Sequence, residues 1–336
     1  MEAHASRDHQ LTWPAPDRSL ARMMNSRRAI SNMMEWTGAN GRVLAGLRDS
    51  VTVLCYHRVL DPDDPVRPGI HPALVTSTHV FERQMETIAA RLNPVTLSAV
   101  VRWLDGEDAI PPRAVLVTFD DGWIDTYTNA YPVMRREGIP GVVFLATGFT
   151  DTKQRQWADI AYETVATRAG HAAAAREVER LKAVAACSRP VAPVESESPV
   201  NLGWPQVQEM AAGGFEFGSH TRSHMILPCE PDDDIARELR SSREDIAARL
   251  GSAPVSFAYP DGQHDERVAG LVEQAGYRVA FTCDEGLVTR QTPRLAMPRL
   301  GIHDGVSTDS NGESSQAMFT THLAGTIPRR YRRRAR

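Results

Sequence analysis

Apolar positions along the chain follow two patterns, which together predict a repeated alternation of strands and helices. Short runs of consecutive apolar, often β-branched residues are typical of strands that are buried on both faces. These runs cover 51–56, 115–119, 142–146, 215–218, 255–259 and 277–282. Apolar residues spaced three and four apart indicate amphipathic helices, and these stretches cover 78–92, 204–210, 235–250 and 268–275. Six or seven such units favour a parallel α/β architecture and suit an incomplete (β/α) barrel at least as well as an open sheet.

The segments outside this alternation determine the predicted domain organisation. Residues 1–20 are polar and predicted to be disordered, and 21–48 are predicted to be an amphipathic helical lead-in that packs on the domain or docks on a membrane surface. A single main domain is expected at 49–305. It carries an insertion at 151–200, an Ala-rich helical part followed by a Pro/Ser/Glu linker, which forms a surface decoration or a lid. Residues 306–336 are predicted to be a basic, disordered tail.

Composition excludes some classes of function. The 336 residues are 42% hydrophobic and 24% charged, which is ordinary for a globular protein. The net charge is −4 although six arginines stand in the last eight residues, so the composition argues against a nucleic-acid-binding protein. No apolar stretch approaches the ~20 residues of a membrane span, no signal peptide is recognisable, and the four cysteines are widely spaced. We therefore expect a cytoplasmic protein whose contact with a membrane is at most peripheral, at the inner face.

Polar side chains follow four of the predicted strands at the point where each strand ends. His57 follows the first strand, Asp120 and Asp121 follow the second, His220 follows the fourth, and Asp261 follows the fifth. In a parallel barrel the carboxyl ends of all strands meet at one rim, and active sites lie at that rim. We therefore expect these side chains to converge.

The spacing of two histidines predicts a metal centre. His220 and His224 form H-x-x-x-H, and if this segment is helical both rings lie on one face and can reach one ion. An aspartate would complete a His₂-Asp set of the catalytic zinc type. One aspartate of the pair at 120–121 can then bind the metal while the other acts as a general base, because the cation offsets their repulsion. This pattern predicts metal-assisted hydrolysis of an amide or ester.

Two of these stretches resemble the first two motifs of the polysaccharide deacetylases, the NodB-homology group of carbohydrate esterases. They are TFDDG at 118–122 and SHTRSH at 219–224, and the resemblance covers about residues 51–302. It implies a distorted (β/α) barrel that removes N-acetyl groups from an amino sugar of the GlcNAc type in a glycan, a polysaccharide or its precursor. It also implies a carbohydrate partner and one divalent metal ion, usually Zn²⁺.

The resemblance assigns roles that the residues alone leave open. It implies that Asp120 is the general base and that Asp121, His220 and His224 are the metal ligands. For the general acid, two candidates stay open: His303, which follows an apolar strand, and His57, which lies at the predicted rim.

The third family motif, R-x-P-Y-G, is changed in this chain. Ala258 stands at the position of the arginine and Asp261 at that of the tyrosine. Arg299 is expected to supply the missing cation beside Asp120, with a surface salt bridge as its alternative, and the backbone N–H of Asp261 is expected to hold the oxyanion. The expected substrate-binding residues are Tyr259, Pro260, Asp261 and Gly262.

Two alternative functions stay open at this point. One is an amidase or O-acetyl esterase that acts on a small molecule. The other is a non-catalytic glycan-binding relative, which the changes at Ala258 and Asp261 suggest. The sequence does not indicate an oligomeric state.

Overall fold

A computed structural model describes residues 18–184 and 194–325 of the chain. The strands are β1 (Ser50–Tyr56), β2 (Arg58–Leu60), β3 (Val75–Ser77), β4 (Asn93–Pro94), β5 (Ala114–Phe119), β6 (Gly141–Leu145), β7 (Glu216–Ser219), β8 (Ser256–Ala258), β9 (Val279–Phe281), β10 (Val288–Thr289) and β11 (Leu300–Gly301). The α-helices are α1 (Arg18–Trp36), α2 (Ala39–Ala45), α3 (Thr78–Arg91), α4 (Leu97–Asp105), α5 (Tyr131–Glu137), α6 (Trp157–Ala169), α7 (His171–Val184), α8 (Trp204–Ala212), α9 (Asp232–Leu250), α10 (Glu266–Gln274), α11 (Asp304–Ser307) and α12 (Gln316–Leu323).

The main sheet is curled and almost entirely parallel. Its strands follow the order β10-β1-β5-β6-β7-β8-β9. Every neighbouring pair along this path is parallel except β10 and β1. The predicted α/β fold, a distorted and incomplete barrel of about seven parallel strands, is therefore confirmed, with one antiparallel strand at its edge.

Both faces of the central strands are buried, which explains their uninterrupted apolar runs. In β1, Val51 and Val53 pack in one core cluster with Trp103 of α4, whereas Leu54 and Tyr56 pack in a second cluster with residues of α3. A strand with solvent on one face would alternate apolar and polar residues instead.

A short segment, 297–301, lies between the two edges of the curled sheet. Its first residue forms a parallel bridge with Phe281 of β9, and Leu300 pairs with Leu54 of β1. The segment therefore links both edges and places the side chain of Arg299 in the interior, where only 1% of the residue is exposed.

The N-terminal helices pack on the domain. The side-chain amide of Asn40 donates to the hydroxyl of Thr321 in α12 at 2.8 Å, and Arg27 donates to the carbonyl of Gly305 at 3.1 Å. The predicted packing is therefore confirmed. Trp36, at the end of α1, is 88% exposed, and contact with a membrane surface stays a prediction. Within 18–184 and 194–325, no helix combines the length and apolar character that a membrane span requires.

The prediction of a disordered tail is wrong for residues 306–325. This stretch includes α12, which buries Phe319 in the main core cluster. The helix is stabilised by contact with α1, nearly 300 residues earlier, which no local pattern reveals. Residues 18–20, predicted to be disordered, begin α1. Of the predicted disordered ends, 1–17 and 326–336 lie outside the described residues.

The insertion predicted at 151–200 contains two helices, α6 and α7, that pack against each other. They share a small core to which Ala161, Tyr162 and Val178 contribute. Helix α6 also contacts the turn Arg67–Gly69 of the barrel. The insertion is therefore anchored to the domain at the turn that follows β2. Residues 185–193, which include the first part of the predicted Pro/Ser/Glu linker, lie outside the described residues.

Candidate metal centre and active site

Polar side chains at three of the four strand ends named from the sequence meet at one rim of the sheet. His57 follows β1, Asp120 and Asp121 follow β5, and His220 follows β7. The ring of His57 lies 4.0 Å from the carboxylate of Asp120, and that of His220 lies 3.4 Å from the carboxylate of Asp121. The predicted convergence of these side chains is present, and both aspartates are buried.

Asp120 forms a buried, bidentate ion pair with Arg299. Each terminal nitrogen of the guanidinium lies 2.7 Å from a different carboxylate oxygen. Burial is the largest single influence and raises the pKa of Asp120, but the charge and hydrogen bonds of Arg299, together with His220 and His57, outweigh it and lower this pKa to about 2. The expected pairing is confirmed, and the alternative of a surface salt bridge is wrong because both partners are inaccessible to solvent.

Removing one partner of this ion pair is expected to destabilise the fold strongly. Arg299→Leu should lower the free energy of unfolding by about 3–5 kcal/mol, because it leaves the Asp120 carboxylate buried without a counter-ion. Urea unfolding followed by circular dichroism measures this change.

A matched control is Arg102→Leu, which breaks an Arg–Asp pair whose partners are each 50% exposed. It should cost less than about 1 kcal/mol. Equal losses in the two variants would show that burial of the Arg299 pair has no energetic consequence.

The second aspartate faces two imidazoles. Oδ1 of Asp121 lies 3.4 Å from Nε2 of His220 and 3.2 Å from Nε2 of His224. This oxygen is buried and has no hydrogen-bond partner among residues 18–184 and 194–325. Buried polar atoms are almost always satisfied, and one carboxylate oxygen with two imidazole nitrogens is a typical donor set for a divalent transition metal. The three residues therefore fit a metal ion, as predicted.

Neighbouring groups orient these ligands. Nδ1 of His220 lies 2.7 Å from the carbonyl oxygen of Ala258, so Nδ1 carries a hydrogen and the Nε2 lone pair faces Asp121. The indole N–H of Trp123 donates to the other oxygen of Asp121 at 2.9 Å. Each contact fixes the orientation of a predicted metal-binding side chain, as hydrogen bonds to the ligating residues do in metal sites.

The segment between the two histidines is a tight turn, so the helix considered from the sequence is wrong here. Thr221 and His224 have left-handed backbones, with φ of 63° and 55°. Glu238 of α9 accepts the backbone N–H groups of Arg222 and Ser223 at 2.9 and 2.8 Å. By accepting these two N–H groups, the carboxylate stabilises the turn. The turn brings the rings of His220 and His224 together, with centroids 4.9 Å apart.

The contact from Trp123 predicts a measurable effect on metal affinity. Trp123→Phe keeps the aromatic ring but removes the N–H donor to Asp121. We expect the affinity for a divalent metal to fall about 10–100-fold, the usual effect of losing an outer partner. Competition with a chromophoric chelator measures it.

Trp103→Phe is the matched control, because Trp103 is also buried but its indole nitrogen has no hydrogen-bond partner. This variant should retain the affinity of the original chain. An unchanged affinity in Trp123→Phe would mean that the indole does not orient the ligand.

A second group of possible ligands lies on the other side of Asp120. The thiol of Cys55 is 3.5 Å from this carboxylate, and Nε2 of His57 is 4.0 Å away. Burial lowers the pKa of His57 and raises that of Cys55. Both oxygens of Asp120 are already paired with Arg299, whose charge repels a cation. The group around Asp121 therefore fits a metal better.

The two candidates for the general acid occupy different surroundings. Nδ1 of His303 accepts the backbone N–H of Gly305 at 3.1 Å, at the start of α11. Burial lowers the pKa of His303 to about 4, and the nearest charged groups that act on it are His322 and Asp304. The structure brings His57, and not His303, to the aspartate pair.

The segment that carries the altered third motif lies at the rim of the sheet, but the side chain of Tyr259 does not face that rim. The ring of Tyr259 is fully buried and packs on Phe257, which shares the same face of the chain. The expectation that Tyr259 binds substrate is therefore wrong for its side chain, and Pro260 is buried as well. Asp261 and Gly262 form a turn with φ of 58° and 69° after β8, and their contact with substrate stays a prediction.

Sequence reasoning missed a chain of contacts that leads from the insertion to Asp121. Nη1 of Arg58 lies 3.9 Å from the carboxylate of Asp159 in α6, and Nε donates to Asp125 at 2.6 Å. The guanidinium carbon lies 4.4 Å from the ring of Trp123. Burial raises the pKa of Asp159 to about 6. Arg58 directly follows His57 and Trp123 lies two residues after Asp121, which was a usable signal, whereas nothing in the sequence marked Asp159.

Comparison with known proteins supports one family. YxkH of Bacillus subtilis is 22% identical over 206 residues, which are 61% of this chain and 57% of YxkH. The poly-β-1,6-N-acetyl-D-glucosamine N-deacetylase of Staphylococcus aureus is 20% identical over 281 residues, which cover 76% of this chain and 80% of that enzyme.

Solved structures show the same fold. The Streptococcus pyogenes deacetylase PplD, in complex with acetate, superposes with a TM-score of 0.59 at 18% identity and covers 78% of this chain and 96% of its own. IcaB from Ammonifex degensii gives a TM-score of 0.56 at 22% identity over 76% and 92% of the two chains.

The family model of the polysaccharide deacetylases matches residues 107–280, which is more than half of the chain. The matched region includes both aspartates after β5 and the two histidines after β7. This agrees with the resemblance that the sequence motifs suggested. The chain therefore belongs to the polysaccharide deacetylase family.

Proposed function

We propose that the protein hydrolyses the N-acetyl group of a GlcNAc-type residue in a glycan. Family membership supports a deacetylase, and the relative from S. aureus is named for its action on poly-β-1,6-N-acetyl-D-glucosamine. In this reaction the oxygen of water adds to the carbonyl carbon, the C–N bond breaks, and acetate and a free amino sugar are released.

The observation that carries this proposal is the different charge environment of two adjacent carboxylates. Asp120 faces the guanidinium of Arg299, whereas Asp121 faces the rings of His220 and His224. Two neighbouring carboxylates with separate partners can divide the work of a general base and a metal ligand.

The residues around Asp121 would hold the ion, and Asp120 would move the proton. Asp121, His220 and His224 supply the ligands, and a divalent ion bound there polarises the acetamide carbonyl as a Lewis acid. Asp120 is ionised at neutral pH, because its pKa is about 2, so it is in the form that accepts a proton from the attacking water. The donor set favours Zn²⁺, which binds two histidines and one carboxylate in catalytic sites.

We propose that His57 supplies the proton that the leaving nitrogen needs. Its Nε2 lies 4.0 Å from Asp120, and burial lowers the pKa of His57 although the negative charges of Asp121 and Asp120 raise it in part. Arg299 keeps the Asp120 carboxylate oriented through two hydrogen bonds. We propose further that the backbone N–H of Asp261 holds the oxyanion.

The pairing with Arg299 also bears on the alternative of a glycan-binding protein without activity. That alternative rested on the changes at Ala258 and Asp261, and the pairing bears on the first of them. Arg299 approaches Asp120 from the segment that closes the sheet and supplies the cation that Ala258 cannot. Cellular location and contact with a membrane surface stay predictions from the sequence.

A substrate panel tests the proposed function. The purified chain, supplied with Zn²⁺, is incubated with β-1,6-linked and β-1,4-linked GlcNAc oligomers and with an O-acetylated sugar. Released acetate and newly formed primary amine are measured in the same samples. We expect equal molar amounts of acetate and amine from at least one N-acetylated oligomer.

The other outcomes separate the alternatives. Acetate without amine, from the O-acetylated sugar alone, would indicate an esterase. Binding of an oligomer without release of acetate would indicate a glycan-binding relative, and either result would overturn the proposal.

A further inference from the structure

A cavity open to solvent lies beside the turn that carries the two histidines. It occupies about 230 Å³ at the carboxyl ends of β6 and β7. The residues that line it are Gly148, Phe149, Gln154, Arg222, Ser223 and Glu238.

The cavity wall and the histidine turn form one unit. Arg222 and Ser223 lie between His220 and His224 in the chain. Because the Cα atoms of neighbouring residues are close together, the cavity lies next to a predicted metal ligand. The backbone N–H of Gly148 donates to the carbonyl of Arg222 at 2.7 Å. A Cβ at position 148 would lie 2.6 Å from that oxygen, so only glycine permits this close approach.

The polar groups of the lining divide into two sets. Glu238 is fully engaged, since it accepts two backbone N–H groups and the hydroxyl of Ser223. It therefore supports the turn and is not offered to a ligand. The guanidinium of Arg222, whose side chain is 57% exposed, lies 3.8 Å from Asp245 and retains donors that face solvent. Gln154 also lines the cavity, and Phe149, which is only 6% exposed, adds a small apolar patch.

These groups fit a neutral polyhydroxylated ring. Hydroxyl groups accept from a guanidinium and exchange hydrogen bonds with an amide, while the C–H face of a sugar packs on apolar surface. The volume is below the ~300–1,000 Å³ of pockets that enclose drug-sized ligands, so it is suited to one sugar ring and not to an oligomer. The lining holds one positive side chain, Arg222, and one negative side chain, Glu238, so it has no net charge and suits a neutral ligand.

We propose that this cavity binds the neutral sugar residue of a glycan next to the one that is deacetylated. The inference rests on the proposed function, because it places a neighbouring residue of the same chain beside the metal turn. It makes Gln154 and Arg222 specificity-determining residues that hold the glycan and do not take part in the reaction. Gln154 lies at the start of the insertion, so the insertion would take part in selecting the substrate.

The experiment measures oligomer binding and turnover separately. Gln154→Ala and the double variant Gln154→Ala/Arg222→Ala are assayed on a β-1,6-linked GlcNAc tetramer. The Kd of the same tetramer is measured by calorimetry with Asp120→Asn protein carrying these substitutions. Losing these hydrogen bonds should raise KM and Kd about tenfold in the double variant, with kcat changed much less. Arg237→Ala, at an exposed salt bridge elsewhere on α9, is the matched control.

The outcomes distinguish this inference from the proposed function. Unchanged KM and Kd in both variants would overturn the cavity as a sugar site while the deacetylase stands. If the original chain releases no acetate but the tetramer binds and the variants weaken that binding, the proposed function fails and the sugar site stands. Because Gln154 lies outside the metal turn, Gln154→Ala tests the site even if the double variant loses its metal.

Discussion

Asp120→Asn is expected to lower kcat by about 10²–10⁴-fold, the usual contribution of a general base. Asparagine has nearly the same shape as aspartate but cannot accept the proton of the attacking water. The three residues that fit the metal are not changed, so the variant should still bind a divalent ion. Acetate release and metal content are measured on the same preparation, below the temperature at which the variant unfolds.

The control has to separate lost chemistry from lost stability, because Asn leaves Arg299 buried without a counter-ion. Asp125→Asn makes the same change in another buried Arg–Asp pair, in which Arg58 donates to Asp125 at 2.6 Å. It should destabilise the fold to a similar extent and reduce kcat by less than about tenfold. If the two variants lose kcat equally, Asp120 is not the base.

His220→Ala should remove the bound metal and with it the activity. The imidazole is one of three ligands and is held in its tautomer by the carbonyl of Ala258 at 2.7 Å. Protein purified without chelator or metal-affinity resin should contain about one divalent ion per chain, and the variant should contain much less. Elemental analysis by mass spectrometry measures the content.

Two further variants make this result specific. His79→Ala changes an exposed histidine outside the site and should keep the metal. Cys55→Ser probes the alternative group formed by Cys55, His57 and Asp120. Metal that stays in His220→Ala but is lost in Cys55→Ser would place the ion on the opposite side of Asp120.

Strands β1, β5 and β6 were predictable because each is buried on both faces and therefore reads as an apolar run, whereas the two-residue strands β4 and β10 were not predicted. Helix α3 was predictable from its apolar stripe, and α9 also ends at the glycine that marked its end in the sequence. Helix α12 was not, since its eight residues carry no clear stripe and are stabilised by α1 at the other end of the chain.

Site residues were predictable where they follow the end of a strand. They were not predictable where two segments that are distant in the sequence come into contact. Asp121 and His220 stand within two residues of the ends of β5 and β7, His224 lies four residues after His220, and the parallel topology brings the two strand ends together. Asp159 lies in a helix of the insertion, about 100 residues from its partner Arg58, and no local spacing relates the two. The burial of Tyr259 was also hidden, because motif position shows which residue is present and not the direction of its side chain.

The segment 297–301 has a consequence for the order in which the protein folds. It is synthesised after all the strands with which it pairs, and it carries Arg299, which donates to both oxygens of Asp120. Until it docks, Asp120 stands at the end of β5 without a counter-ion, and burying a lone carboxylate costs several kcal/mol. Dehydration of the rim and docking of the last strand are thus thermodynamically coupled. A nascent chain that lacks this strand keeps Asp120 hydrated, so the catalytic base acquires its environment only when the barrel is complete.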